Sequence, residues 1–273
     1  MMAPSKNAVK SDEVYEEFYE KLGRYYPETR LVHADRGQKS RFQAVLEELR
    51  PFALEKARLL DVGCNNGVYT IPYVRMGGRA LGIDISGTLV NQAWDFARKL
   101  LPSSESISFG MMDIQEDLEY SSLFDVVLMS EVLEHLNHPE KAILNIYKLL
   151  KKGGQFLLTC PTPMFEITPK IGLRYLRNLY RGKLREENIL SSDRNALSRY
   201  SLSGYAYRHD GYYPLGLMRF VEKFGFRCVR IYTIGFGRSR LMVPGTYHLE
   251  PYLRRLPTVN LLGITNFQVF RKR

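Results

Sequence analysis

The chain predicts an α/β fold: a doubly wound, mostly parallel seven-stranded sheet. Three observations carry that expectation. Short apolar runs recur at 57–63, 79–85, 107–113, 124–130 and 155–161, with helical patterns between most of them. The run FDVVLMS (124–130) is almost continuously apolar, as a strand covered on both faces must be. ARLLDVG (57–63) opens directly into a turn rich in Asn and Gly.

Each element follows from local pattern. Apolar spacing predicts amphipathic helices at 12–22 (DEVYEEFYEKL) and 38–50 (QKSRFQAVLEELR), the second ended by Pro51. Residues 1–50 thus read as an N-terminal helical cap on a domain spanning 51–273. Within that domain, 87–100 is helical. Residues 139–154 are too, with Pro139 at the start and lysines then glycines at the end. After 161 the alternation breaks, and residues 162–212 form an insertion after strand five that is basic and rich in tyrosine. A helix at 214–226 and strands at 227–234 and 263–272 complete the sheet.

Composition narrows the class. The 45% hydrophobic and 25% charged shares are those of a globular protein, and no run approaches the ~18 apolar residues of a membrane-spanning helix. The first residues lack the apolar core of a signal peptide. Cys64, Cys160 and Cys228 are far apart without CxxC spacing, so a reducing cytoplasm is expected and neither a disulfide framework nor a zinc site is signalled. The net charge of +10 is uneven. Residues 1–163 hold 19 Lys+Arg and 22 Asp+Glu (−3), and residues 164–273 hold 20 and 7 (+13). Such a C-terminal part suits an anionic partner (a phosphate, an acidic lipid or RNA) or is a plain basic face.

Ligands of an open parallel sheet sit beyond the carboxyl ends of its strands. Gly63 and Gly67 allow a tight turn after strand one, and Asn65 tolerates left-handed geometry. Asp84 ends strand two, placed to accept from a ribose diol. Asp113 ends strand three, placed to accept from an adenine amino group. The turn is D-x-G-x-x-x-G rather than the dinucleotide fingerprint, and Asp61 suits a cationic ligand head better than a pyrophosphate.

With LLDVGCNNG, GIDIS, MMDI, FDVVLMSEVLEHL and LLKKGGQFLLTCP in this order, the chain resembles the class I S-adenosylmethionine-dependent methyltransferases, which have a Rossmann-like fold. The resemblance covers 57–161, departs at Asn65 where a glycine is usual, and implies S-adenosyl-L-methionine as cofactor. By it, the loop Asp61–Gly67 holds the methionine part. Asp84 holds the ribose, with Ile85 beside it, and Asp113 and Ile114 hold the adenine. Ser130 and Glu131 border the methyl-transfer cleft.

A hydroxyl acceptor must also lose a proton, to a base or through a metal. Glu131, Glu134 and His135 in SEVLEHLNHPE leave strand four at i, i+3, i+4, on one face of a helical turn. The turn is a structural flank of the cofactor, or it makes His135 a general base. A third reading joins Glu131, Glu134, His135 and the downstream His209 around a divalent metal, with mixed ligands suiting Mn²⁺, Fe²⁺ or Zn²⁺ better than Mg²⁺. His138 reads as a cap residue, and His33 and His248 belong to no constellation. The turn is similar to that of ubiquinone-pathway O-methyltransferases, where a membrane-associating insertion follows it. It is also similar to that of small-RNA 3′-end 2′-O-methyltransferases, where it joins a histidine in a metal site.

The insertion carries KIGLRYLRNLYRGKLR (170–185), with six Lys/Arg and no acid. As a helix it sets Leu173, Leu176, Tyr180 and Leu184 on one stripe. Lys170, Arg174, Arg177, Arg181 and Arg185 lie on another, about 100° away. That pattern suits a peripheral position on an anionic membrane surface, a phosphate clamp, or packing on its own domain. The expected activity is O-methylation of a small or amphipathic acceptor, quinone- or lipid-like. The alternatives are an RNA 2′-O-methyltransferase, a soluble sugar or natural-product methyltransferase, and a non-catalytic S-adenosylmethionine-binding protein.

Overall fold

The structure is a computed structural model describing residues 36–102, 104–163, 169–186, 211–234, 261 and 263–273. Its main sheet is built from β1 (Arg58–Val62), β2 (Arg79–Asp84), β3 (Ile107–Met111), β4 (Phe124–Ser130), β5 (Leu150–Pro161), β8 (Phe226–Ile234) and β9 (Thr265–Lys272). The order is β3-β2-β1-β4-β5-β9-β8, so the sequence in which strands are added reverses between β1 and β4. Strands β1 to β5 run parallel, and β9 is antiparallel to both β5 and β8. The expected seven-stranded, mostly parallel sheet is therefore present. A short antiparallel pair, β6 (Arg185–Glu186) and β7 (Gly211–Tyr212), forms a separate sheet.

Strand alternation divides the core in two. Val126 and Leu128 of β4 join Leu59 and Leu157 beneath α1 (Arg36–Leu54), which contributes Ala44, Val45, Leu49 and Ala53. Val127 and Met129 point the other way, onto Ala142, Ile143 and Ile146 of α4 (Pro139–Leu149). The remaining helices are α2 (Thr70–Arg75), α3 (Gly87–Leu100), α5 (Pro169–Arg181) and α6 (Pro214–Glu222). Helix α3 starts where the Ser86 hydroxyl accepts from the Leu89 amide at 3.3 Å. Among the described residues no helix is long and apolar enough to cross a membrane.

Three local expectations are corrected. Pro51 lies inside α1, which continues to Leu54, so the 50/51 boundary falls within one element. Proline removes only its own amide bond, and burial of Ala53 with partial burial of Phe52 holds the last turn on the sheet. The helix expected to reach 154 ends at Leu149, and residues 150–154 begin β5. Gly153 is left-handed there (φ 78°), the β4–β5 register shifts, and Lys151 reaches Asp125 at 2.7 Å instead of capping a helix. The third concerns α5. Tyr175 and Leu179 form its buried face, against Tyr213 and Leu261, while Tyr180 is 59% exposed. Arg174, Arg177 and Arg181 lie exposed, as their stripe implied. The expected helix at 12–22 and the Ser- and Arg-bearing stretch before residue 211 lie outside the described residues.

The turn after β1 is held from below by Asp61. Its carboxylate, 1% exposed, accepts from the Thr70 hydroxyl at 2.6 Å at the start of α2. Burial pushes the Asp61 carboxyl up to about 7, against the lowering effect of the Thr70 hydrogen bonds. A folded-state value above the unfolded one stabilises the fold through the protonated form. Asp61's contribution is therefore complete below about pH 4 and is lost as pH rises towards 7. Urea-denaturation midpoints between pH 4 and 8 should show this decline in the wild type and a flatter profile in Asp61→Asn.

Candidate functional site

A cavity of about 270 Å³ opens at the carboxyl ends of β1, β2 and β4 and the turn after β3. This is the place where the order of strands reverses. Backbone conformation shapes its floor. The amides of Gly63 and Cys64 both donate to Ile83 O, at 2.8 and 2.9 Å, folding the chain back after β1. Gly63 is left-handed (φ 69°), and a Cβ there would run into Val132 Cγ2. Asn65 is left-handed as well (φ 53°). Its side-chain oxygen accepts from the Asn66 amide at 2.7 Å, and its own amide donates to Asp84 Oδ2 at 2.9 Å. Asparagine thus replaces the usual glycine by tolerating the same region of backbone space.

Gly63, Asn65, Asp84, Ile85, Asp113, Ile114, Ser130 and Glu131 all line this one cavity. Asp84 is held by two amides, Asn65 at Oδ2 and Ser86 at Oδ1 (3.0 Å). Asp113 accepts the Gln115 amide at 2.8 Å and its side-chain nitrogen at 3.1 Å, which fixes the carboxylate at the turn after β3. Two residues of the expected cofactor set lie behind the wall. Asp61 is beneath the loop on Thr70. Gly67 (φ 87°) leaves the space in which Ile71 packs, where a Cβ would come to 2.9 Å from Ile71 Cδ1.

The opening of the wall at β4 holds residues that sequence patterns did not single out. Arg41, from α1, sets Nη1 3.0 Å from Glu131 Oε2. Burial disfavours the charge on Arg41, but Glu131, Tyr69 and Glu134 together outweigh it, and the guanidinium's affinity for its proton is raised. Tyr69 lines the cavity in hydrogen-bonding reach of Arg41 and Ser130, and burial pushes its phenol up. Glu131 itself is left-handed (φ 57°), uncommon for a side chain of that size. Its amide donates to Thr159 O at 2.9 Å, and its Oε1 accepts from the Thr159 hydroxyl at 3.2 Å. Leu89, Met112, Val132 and Leu136 supply apolar wall. No short motif marks Arg41 or Tyr69. The one hint is that each lies within two residues of an apolar core position.

His135 lies on the cavity wall, and its Nε2 is 3.7 Å from Glu134 Oε1. Glu134 is 1% exposed and lies off the wall. The turn Leu133–His135 is a single 3₁₀ turn, so the even helical face assumed for Glu131, Glu134 and His135 is not formed. Among the described residues no three His, Cys, Asp or Glu side chains gather as metal ligands, and Glu131 is committed to Arg41. His209, the fourth member of the metal set, lies outside the described residues. His138 precedes α4 as its N-cap residue.

A methyltransferase-domain family profile matches residues 34–231. The chain is 34% identical over 107 residues to the mitochondrial ubiquinone biosynthesis O-methyltransferase of Rattus norvegicus, covering 39% of this chain and 31% of that protein. It is 31% identical over 106 residues to the Rickettsia akari ubiquinone biosynthesis O-methyltransferase, covering 39% and 41%. Matches to the Coxiella burnetii proteins reach 53% of their length, so the chain spans about half or less of the curated relatives it matches. The fold is similar to that of the magnesium protoporphyrin IX methyltransferase of Synechocystis with bound S-adenosylhomocysteine (TM-score 0.58, 15% identity, 98% of this chain and 100% of that one). It is also similar to that of the Burkholderia thailandensis 1,6-didemethyltoxoflavin-N1-methyltransferase (0.59, 16%, 100% and 93%) and to that of the cyclase SpnF (0.52, 18%, 100% and 97%). With strand order, cavity and family profile in agreement, the chain belongs to the methyltransferase-domain family, among the class I S-adenosylmethionine-dependent methyltransferases.

Proposed function

We propose that the cavity binds S-adenosyl-L-methionine and that the chain methylates a hydroxyl of an amphipathic, quinone- or lipid-like acceptor. The observation that carries this reading is the convergence of Gly63, Asn65, Asp84, Asp113 and Ser130 on one cavity at the switch point of the sheet. The 27–34% identity to ubiquinone biosynthesis O-methyltransferases supports oxygen as the acceptor atom. The cofactor, when bound, supplies a methyl group on a sulfonium that already carries its leaving group. What remains for the protein is positioning and one proton. Asp84 and Asp113 hold the nucleoside, and the Gly63–Asn65 turn admits the remainder at close backbone approach. His135 takes the proton of the acceptor hydroxyl on its imidazole, and the buried Glu134 carboxylate 3.7 Å away favours the resulting cation.

The exposed face of α5 carries Arg174, Arg177, Arg181 and Tyr180, beside Lys183. A basic face with an aromatic edge suits an anionic lipid surface, from which an amphipathic acceptor would be drawn.

Three outcomes are expected. Calorimetric titration should give binding of S-adenosyl-L-methionine to the wild type. Asp84→Ala should weaken it by about 10- to 100-fold, since a charged acceptor and the amide contacts of the loop go together. With isotopically labelled methyl donor and fractionated cell extract, label should enter a lipid fraction. His135→Gln should lower that transfer by about 10²- to 10⁴-fold with cofactor affinity little changed; unchanged transfer would remove His135 as the base. Vesicles containing anionic phospholipid should co-sediment the wild type, and the triple change of Arg174, Arg177 and Arg181 to Glu should abolish this. Wild-type protein left in the supernatant would exclude the surface.

A further inference from the structure

Helices cover the two faces of the sheet unequally. Ile107 and Phe109 of β3 are buried with residues of α2 and α3, whereas α4 and α6 pack over β4 and β5 on the other face. The crossover from β3 to β4, residues 112–123, contains no helix, and the helices packed on β2 and β3 are α2 and α3. Alternation sends Ser108 to the face opposite Ile107 and Phe109, which this crossover leaves open. A second cavity of about 660 Å³ lies there, at the amino ends of β1 to β4. Arg58, Arg79, Ser106, Ser108 and Phe124 line it, with Glu105. It shares no residue with the cavity at the carboxyl ends of the strands.

Strand register brings two guanidiniums together in it. Arg58 and Arg79 open β1 and β2 directly opposite each other, and both are exposed. Like charges in such positions repel and weaken the pairing. The Arg58 guanidinium stands 5.7 Å from the centroid of the Phe124 ring, a cation–π contact that holds it at the cavity. Asp125 is within electrostatic reach of Arg58, but its oxygens are taken. Oδ1 accepts from Lys151 Nζ at 2.7 Å and Oδ2 from the Arg58 amide at 2.8 Å. Among the described residues neither guanidinium makes an ion pair, and Glu105 is one carboxylate against two cations. Ser106 and Ser108 add hydroxyl donors.

We propose that this cavity is a second, non-catalytic ligand site that takes a soluble phosphomonoester, its phosphate held between Arg58 and Arg79. Each guanidinium offers a planar fork that matches two phosphate oxygens, and a dianion between the two forks removes their mutual repulsion. The cavity is far larger than a phosphate. Leu81 and the Phe124 ring give it apolar surface for the group that the phosphate carries. The site lies at the edge of the sheet opposite the turns after β1 and β4. A bound ester therefore acts on the stability of the β1–β2 pair and leaves the transfer cleft open.

The test is calorimetric titration of inorganic phosphate and of glycerol phosphate at constant ionic strength, which fixes the screening of exposed charges. The wild type should bind the ester more tightly than the free ion. Arg58→Gln and Arg79→Gln should each weaken both by about tenfold or more. The ester should raise the thermal midpoint of the wild type and not that of either variant. A cooperative thermal transition shows that a variant is folded, and if one is not, the other decides. A free ion bound as tightly as the ester assigns inorganic phosphate to the same site. Vesicles of phosphatidic acid should leave the triple Glu variant of α5 in the supernatant; sedimentation that Arg58→Gln removes assigns the phosphate to a lipid headgroup instead. A wild type that binds neither soluble probe nor these vesicles, or binding undiminished in both glutamine variants, would overturn the site.

Discussion

The close approach of two turns, at Gly63 after β1 and at Val132 after β4, is the constraint on which the site depends. Because no Cβ fits between them, Gly63 alone can occupy its left-handed position. With Val132 lodged against it, the chain leaving β4 takes its own left-handed step at Glu131. A non-glycine residue in that region is uncommon and costs on the order of 1 kcal/mol. The Glu131 amide bond to Thr159 and the ion pair to Arg41 offset that cost. One steric contact between neighbouring strand ends therefore determines which side chains face the cavity.

From Glu131 the constraint passes to the amino-terminal helix. Arg41 is a residue of α1, whose Ala44, Val45 and Leu49 are fixed in the core over β4. The arginine is thus delivered to the cavity by apolar packing, and the carboxylate at the end of β4, with Tyr69 and Glu134, keeps it charged where burial alone would oppose it. Glu48 on the same helix meets Arg230 of β8, so α1 is tied to the sheet at both its charged and its apolar faces. A helix that reads as a cap in the sequence is a wall of the site in space.

The fold does not by itself choose a reaction. The similar structures include two methyltransferases of different acceptors and a cyclase. What bears on the reaction lies on the cavity wall and beside it: Asn65 in left-handed geometry, a tyrosine at 69, and the His135–Glu134 pair at the turn. The insertion follows the same logic. Tyr175, Tyr212 and Tyr213 are buried packing residues, so the tyrosines there that the structure describes mostly build the domain, while the arginines of α5 face outward.

Sequence by itself determined the sheet, the helix periods and the turn after β1. These depend on contacts between near neighbours and on burial patterns such as FDVVLMS, which leave a local trace. Asp84, Asp113 and Ser130 were legible because a parallel sheet forces the last residues of its strands to one edge. The end of α1 beyond Pro51 and the strand beginning at Leu150 were not, since burial of Ala53 and pairing with β4 overrode local signals. Nor was the buried face of α5, where the partners that select Tyr175 over Tyr180 are distant in the chain. Only the tertiary structure decided that Asp61 lies under the loop, that Glu134 sits off the wall, and that Arg41 and Tyr69 join Ser130, Thr159 and Glu131. Those residues are up to 118 positions apart (159 − 41). No local pattern records a cluster of hydrogen bonds and an ion pair that exists only when separate segments are packed together.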